Sequence, residues 1–259
     1  MPKITINKIL KRKNKTPITC LTAYTKSIAK IVDKYCDIIL VGDSLGMVLY
    51  GMKSTREVSI NTMLLHAKAV KKSSKSSLVV FDMPHGTYLN KLSAYKNAKF
   101  VIKETKCDAV KLEGGKKIVN TIKYLTKKGI PVMGHIGLLP QTSGKFKVKG
   151  KKNNQRQEIY NDAIELSKSG VFSIVIECVV ENLAKKITRD ISIPTIGIGA
   201  SKYCDGQILV TEDMLGLSDF SPKFVKQYSN LNKIIEKSVK SYTKDVKSRK
   251  FPFYKNVYK

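Results

Sequence analysis

Tryptophan is absent from this chain, histidine occurs only three times, and the five cysteines (Cys20, Cys36, Cys107, Cys178 and Cys204) are scattered without a CxxC pair. An odd, dispersed set of thiols does not make a disulfide framework, and a structural zinc site needs more thiolate and imidazole ligands at short spacing. The cysteines read as ordinary thiols of a reducing compartment. Long apolar runs are missing too: none approaches the ~20 residues of a membrane span. Met1-Pro2-Lys3-Ile4-Thr5-Ile6-Asn7-Lys8 leads straight into the charged Lys11-Arg12-Lys13-Asn14-Lys15, with no apolar signal segment between them. A soluble, cytoplasmic protein without a membrane partner is expected.

Acidic residues are few, 20 against 48 Lys and Arg, for a formal net charge of +28. Taken alone, that excess admits a nucleic-acid-binding protein, because Lys neutralises phosphate. Its distribution opposes the idea. The excess is almost entirely Lys, spread over helix faces and both termini, and it accompanies many Ile and Asn residues, as in proteins of AT-rich genomes. A solvated Lys surface is the simpler account, and no nucleic-acid partner is expected. The stretch Lys247-Ser248-Arg249-Lys250-Phe251-Pro252-Phe253-Tyr254-Lys255 reads as the most flexible piece.

What is present is enough for one large core: 259 residues, 42% of them hydrophobic. Short β-branched runs alternate with longer stretches of helical period, the rhythm of a parallel sheet built from βα units. Eight strands are expected near Ile18–Leu21, Ile38–Gly42, Leu78–Phe81, Ala109–Leu112, Pro131–Gly134, Ser173–Ile176, Pro194–Gly197 and Gln207–Val210. Helices are expected over Ile60–Lys72, Leu92–Thr105, Lys116–Lys127, Gln155–Ser169 and Glu181–Arg189. This count over this length predicts a (β/α)8 barrel as a single domain, 1–259, with 222–259 as a helical and flexible C-terminal extension. In that extension Phe224, Val225, Leu231, Ile234, Ile235, Val239 and Tyr242 form an amphipathic helical stripe, suited to capping the barrel or meeting another subunit.

Four carboxylates, Asp43, Asp82, Glu113 and Glu177, each end one of the expected strands. In barrels of this kind the C-terminal ends of the strands carry the chemistry, so acids recurring there point to a metal and a base. Singly, each would pass as a helix cap or a surface salt bridge. Lys111 and Glu113 lie two apart on one strand and leave the same face. Making a carbon nucleophile beside a ketone needs a base for the C–H proton and an electrophile for the developing oxyanion, and Mg²⁺ held by one or two carboxylates suits the second task.

The blocks Val41-Gly42-Asp43-Ser44-Leu45-Gly46-Met47, Asp82-Met83-Pro84, Lys111-Leu112-Glu113-Gly114-Gly115, Gly134-His135-Ile136-Gly137-Leu138-Leu139-Pro140-Gln141, Ile176-Glu177-Cys178-Val179 and Ile193-Pro194-Thr195-Ile196-Gly197-Ile198-Gly199-Ala200 with Asp205-Gly206-Gln207-Ile208-Leu209-Val210 resemble, in this order, the motifs of the ketopantoate hydroxymethyltransferase family. The similarity runs from about Thr16 to Leu217. It implies a TIM barrel of the phosphoenolpyruvate/pyruvate-binding type and Mg²⁺. It also implies hydroxymethyl transfer from 5,10-methylenetetrahydrofolate to 3-methyl-2-oxobutanoate (α-ketoisovalerate), toward pantothenate and coenzyme A. A large homo-oligomer is implied as well, a homodecamer in the best-known members. By the resemblance, Asp43 and Asp82 are direct metal ligands and Glu113 belongs to the metal site. Asp43, Ser44, Asp82 and Lys111 bind the keto acid, Lys111 at its carboxylate, and Glu177 is the general base. His135 reads as a structural histidine at a strand tip. Gly197, Gly199 and Gly206 serve tight turns, since Gly-Ile-Gly-Ala lacks a phosphate-binding pattern.

The chain departs from the family pattern at Thr25, where Asp is usual, at Ser201, where Gly is usual, and in a loop after Gln141 that is shorter by about three residues. Lys145, Lys147, Lys149, Lys151 and Lys152 follow the fifth strand and stand where they can attract the anionic tail of a folate. The alternatives are a Mg²⁺-dependent carbon–carbon lyase or mutase of the related barrels and, from another class, the nucleic-acid-binding protein. The lyases and mutases usually carry a reactive Cys in an active-site loop, and none lies between Thr142 and Lys152.

Overall fold

The structure, a computed structural model, describes residues 2–143, 147–218 and 222–258. The chain divides into two compact units, Met1–Val210 and Thr211–Lys259. Eight parallel strands form the first: β1 (Ile18–Thr22), β2 (Ile38–Val41), β3 (Leu78–Asp82), β4 (Ala109–Glu113), β5 (Val132–Gly137), β6 (Ser173–Glu177), β7 (Thr195–Ile198) and β8 (Gly206–Leu209). They pair in chain order, and β1 also pairs with β8, so the sheet closes into a barrel. A parallel strand walled by helices has no wet face, which is why β2 reads Ile-Ile-Leu-Val with every residue buried.

Side chains alternate across each strand, and the two sets fill two cores. Ile18, Cys20, Ile38, Leu40, Leu78, Val80, Ala109, Met133, Val175, Ile196 and Ile208 form one buried cluster, the barrel interior. Their neighbours, among them Ile39, Val41, Val79, Phe81, Val110, Leu112, Ile174 and Ile176, join the apolar stripes of the surrounding helices in the other. Those helices include α1 (Ile6–Leu10), α2 (Lys26–Val32), α3 (Leu45–Tyr50), α4 (Ile60–Ser73), α5 (Lys91–Thr105), α6 (Val119–Lys127), α7 (Asn153–Ser167) and α8 (Glu181–Asp190). By alternation from Val80, Ala109, Met133 and Val175, the residues Asp82, Lys111, Glu113, His135 and Glu177 face inward at the C-terminal mouth.

The expected stretch Lys116–Lys127 opens as a single 3₁₀ turn, Lys116–Ile118, before α6 begins. Asp162 of α7 presses into that turn: its carboxylate accepts from the Lys116 N–H at 2.6 Å, and a Cβ on Gly115 would lie 1.9 Å from its Cγ. Only glycine admits that approach. Thr25 turns out to be the N-cap of α2, its hydroxyl accepting from the Ile28 N–H at 3.4 Å, a task that Asp performs equally well. Ser201 adopts no left-handed conformation and its hydroxyl accepts from the Tyr203 N–H, so the turn there has no need of glycine.

In the second unit α9 (Thr211–Met214) precedes α10 (Leu231–Lys247). The C-terminal helix therefore starts seven residues later than the stripe from Phe224 predicted, because Asn230 caps it by accepting from the Lys233 N–H, while Tyr228 and Leu231 donate their N–H groups to Met214 and Leu215 instead of extending a helix backward. Ile234, Ile235, Val239, Tyr242 and Val246 along α10 are exposed.

Polar groups at the N-terminal face of the barrel are structural. Asp205, just ahead of β8, accepts from Lys13 Nζ at 2.9 Å, from the Asn14 N–H at 2.8 Å and from the Thr195 N–H at 2.8 Å, joining the segment after α1 to the start of β7. Arg12 reaches Asp37, ahead of β2, at 2.6 Å. Removing Asp205 strands a nearly buried ammonium and two amides, so Asp205→Ala is expected to cost about 2–4 kcal/mol in urea unfolding. An unaltered unfolding midpoint would show that this closure contributes nothing.

Candidate active site

Strand register assembles the mouth of the barrel. Asp82 stands beside Lys111 across β3 and β4, Glu113 beside His135 across β4 and β5, and Gly137 beside Glu177 across β5 and β6. Lys111 Nζ donates to both oxygens of Asp82, at 2.8 and 3.0 Å, and lies 3.6 Å from Glu113 Oε1. The His135 ring spans the next gap, with Nδ1 3.5 Å from Glu113 Oε1 and Nε2 3.3 Å from Glu177 Oε2. Neither ring nitrogen is aligned for a hydrogen bond, so the attraction is one of charge. Asp43 follows β2, and its N–H points at Asp82 Oδ2 from 3.4 Å.

These side chains are almost wholly removed from water, 1% exposed at His135 and 8% at Glu177, and the low dielectric makes each charge depend on its neighbours. Burial, then repulsion from Asp82 and Glu113, lifts the Asp43 carboxyl well above the usual range. Burial also raises Asp82, against the pull of Lys111. At Glu113 burial pushes upward too, but Lys111 and then His135 outweigh it and hold the carboxyl below its ordinary value. The opposite balance holds for the cations. Burial and Lys111 press the imidazolium of His135 toward deprotonation, yet Glu113 and Glu177 raise it to about 9. Lys111 is likewise held charged by Asp82, Glu113 and Asp43 against its burial.

The structure brings Asp43, Asp82, Lys111, Glu113 and Glu177 to one mouth. Ser44 opens α3 without capping it; its hydroxyl meets the Tyr24 hydroxyl at 2.7 Å. Among the described residues no three His, Cys, Asp or Glu side chains are clustered as a ready metal cage. Two aspartates are nevertheless a suitable donor pair: Mg²⁺ uses one or two carboxylates and keeps places for water and a substrate. Their upward shift comes first from burial and then from neighbouring carboxylates, and a hard dication would relieve the second. Cys178, next to Glu177, is buried with φ +50°, and burial followed by Glu177 pushes its thiol up to about 12, the reverse of a reactive thiolate.

Two participants have no signal at a strand tip. Gln141, in the loop after β5, is 0% exposed and donates through Nε2 to Asp43 Oδ2 at 2.8 Å and through its backbone N–H to Glu113 Oε2 at 3.0 Å. Tyr88 donates its hydroxyl to Gln141 Oε1. His135 is central to the charge row where an isolated histidine would read as structural. Of the lysines after β5, Lys145 lies outside the described residues; Lys147, Lys151 and Lys152 are exposed, and Lys149 is half-buried, its N–H donating to the Cys178 carbonyl at 2.7 Å.

A closed (β/α)8 barrel with carboxylates, a lysine and a histidine gathered at the C-terminal ends of its strands has the build of a barrel enzyme. The chain belongs to the ketopantoate hydroxymethyltransferase family, whose sequence profile matches residues 3–253. It is 53% identical to the 3-methyl-2-oxobutanoate hydroxymethyltransferase of Pelagibacter ubique over 249 residues, 96% of this chain and 97% of that one. It is 51% identical to the enzyme of the same name from Bartonella henselae over 261 residues, 99% of this chain and 95% of that one. In fold it is similar to a phosphonopyruvate hydrolase (TM-score 0.65, 11% identity, 97% of this chain and 90% of that one). A 2,3-dimethylmalate lyase of the PEP mutase/isocitrate lyase superfamily is comparable (TM-score 0.63, 12% identity, 97% and 87%). No helix among the described residues is long and apolar enough to cross a membrane.

The imidazole of His135 has its folded pKa at about 9, against 6.5 without neighbours. A base whose pKa is raised by folding contributes stability that is complete below about pH 6.5 and is lost as pH rises through about 9. With EDTA present, the wild type should lose on the order of 3 kcal/mol more than His135→Gln across that window, measured by urea unfolding at stepped pH. Parallel curves for the two proteins would show that His135 carries no such linkage.

Proposed function

We propose that this barrel transfers a hydroxymethyl group from 5,10-methylenetetrahydrofolate to 3-methyl-2-oxobutanoate, forming 2-dehydropantoate. Its membership of the family supports this assignment of the reaction. The carrying structural observation is the row Asp82, Lys111, Glu113, His135, Glu177, which sets a held cation and a carboxylate base in one water-poor mouth. Nothing in the family match favours the lyase, the mutase or the nucleic-acid-binding protein.

Asp43 and Asp82 would hold Mg²⁺, with Glu113 in the outer sphere, and the ion would supply charge stabilisation for the developing enolate oxygen. Lys111, buried and held charged, would take the substrate carboxylate, and it pulls against the burial that raises Asp82. The Ser44 hydroxyl, oriented by Tyr24, offers a further donor to the keto acid. Glu177 would remove the proton from C3, with His135 Nε2 3.3 Å from its Oε2. The resulting carbon nucleophile would then bond to the folate's methylene carbon, whose two C–N bonds break to leave tetrahydrofolate, with water supplying the oxygen of the new hydroxyl group. We also assign the chain a homo-oligomeric state, for which the exposed Leu65, Leu89 and Leu92 offer apolar surface; sedimentation velocity showing only monomer would refute it.

The test of the reaction is product formation from both substrates with and without Mg²⁺. For the base, Glu177→Gln keeps the shape of the side chain but cannot accept a proton. Exchange of the keto acid's C3 hydrogen with deuterated water, followed by NMR without folate, should fall at least about 100-fold, in line with the usual worth of a general base, while keto-acid binding persists. Exchange at the wild-type rate would place the base elsewhere.

A further inference from the structure

Among the described residues, Gln141 is the one loop residue with polar contacts to two of the candidate metal-site carboxylates, and every one of its own polar groups is engaged. Its Nε2 donates to Asp43 Oδ2 at 2.8 Å and to the Met83 carbonyl at 2.9 Å. The backbone N–H donates to Glu113 Oε2 at 3.0 Å, and the backbone carbonyl accepts from Arg56 Nε at 2.9 Å. On the other side of the amide, Oε1 accepts from the Tyr88 hydroxyl, which itself accepts from the Glu113 N–H at 3.3 Å.

These partners allow a single orientation of the side chain. The Met83 carbonyl can only accept, so the NH₂ end must face it, and with it Asp43. Asp43 is thereby held by one oxygen, and Glu113 by one oxygen, from a single residue that is itself fixed by three further partners, Met83, Arg56 and Tyr88. Groups of this kind, which orient ligands without touching the metal, typically control 10–100-fold in metal affinity.

Resting on the metal reading proposed above, we propose that Gln141 is a positioning residue of the metal site: its side-chain and backbone donors set the directions of the Asp43 and Glu113 carboxylates, and Tyr88 locks the amide for that task. A bound metal would thus find one ligand, Asp43, and one outer-sphere carboxylate, Glu113, already aimed rather than free to rotate. The loop after β5 is thus part of the metal site through a neutral side chain. A neutral amide is required, because a carboxylate in its place would give Asp43 and the Met83 carbonyl a third acceptor to face.

Gln141→Glu separates this from a plain charge effect. If net negative charge alone governs the site, the added carboxylate should tighten a divalent cation; if the donors govern it, affinity should fall. Mn²⁺, standing in for Mg²⁺ as a hard oxygen-seeking ion, can be titrated by electron paramagnetic resonance, with urea unfolding run alongside. Both Gln141→Glu and Gln141→Leu are expected to weaken Mn²⁺ binding about 10-fold, and Tyr88→Phe, which leaves both donors in place but frees the amide oxygen, by a smaller factor. Equal or tighter binding by Gln141→Glu overturns the proposal, as does lowered stability with unaltered affinity. If Gln141→Leu does not fold, Gln141→Glu and Tyr88→Phe decide between the same outcomes. Wild-type protein that binds no Mn²⁺ overturns the metal reading and this inference together, whereas wild-type binding with unaffected variants removes Gln141 alone.

Discussion

Negative charge gathered where water is scarce is the constraint on which this molecule turns. Asp43, Asp82, Glu113 and Glu177 meet at the barrel mouth, where Lys111 and His135 are the cations that come within 4 Å of these carboxylates among the described residues. A buried carboxylate without a partner is costly, and the chain meets that cost differently at each position. Asp82 has the ammonium of Lys111, Glu113 has two cations, and Asp43 has a neutral amide together with a raised affinity for its proton. The least compensated member is the one best suited to receive a metal.

The strands were legible because burial on both faces leaves an unmistakable mark: Ile38–Val41, Leu78–Asp82 and Ser173–Glu177 match expectation to within a residue or so at each end. The long helices were legible for the complementary reason, an apolar stripe of helical period, as in α4 and α5. What escaped was short or locally determined. Five to seven residues, as in α1, α2 and α3, do not make a period, and the start of α10 depends on the side chain of Asn230 rather than on any apolar pattern.

The site divides along the same line. Strand-end acids can be picked out from a linear sequence because alternation fixes which way they face, and Lys111 and Glu113 are two residues apart on one strand. Gln141 is not readable in that way. It reaches Asp43 across 98 positions of sequence from a loop whose course nothing in its own residues specifies. Ser44 shows the converse: capping and hydroxyl donation are both natural to a serine after a strand, and only its contact with Tyr24 distinguishes them.

Because every strand-borne group at the mouth occupies the inward half of a two-residue alternation, each strand behaves as a reading frame. Insertion or loss of one residue within β4 would turn both Lys111 and Glu113 into the helical layer and carry Leu112 into the mouth, emptying the site of a cation and an acid at once. The same event between strands would only lengthen or shorten a connection. The barrel thus tolerates drift in its loops while its strands are bound to a strict count, so lineages of this chain should vary in length everywhere except along the eight short runs that aim its chemistry.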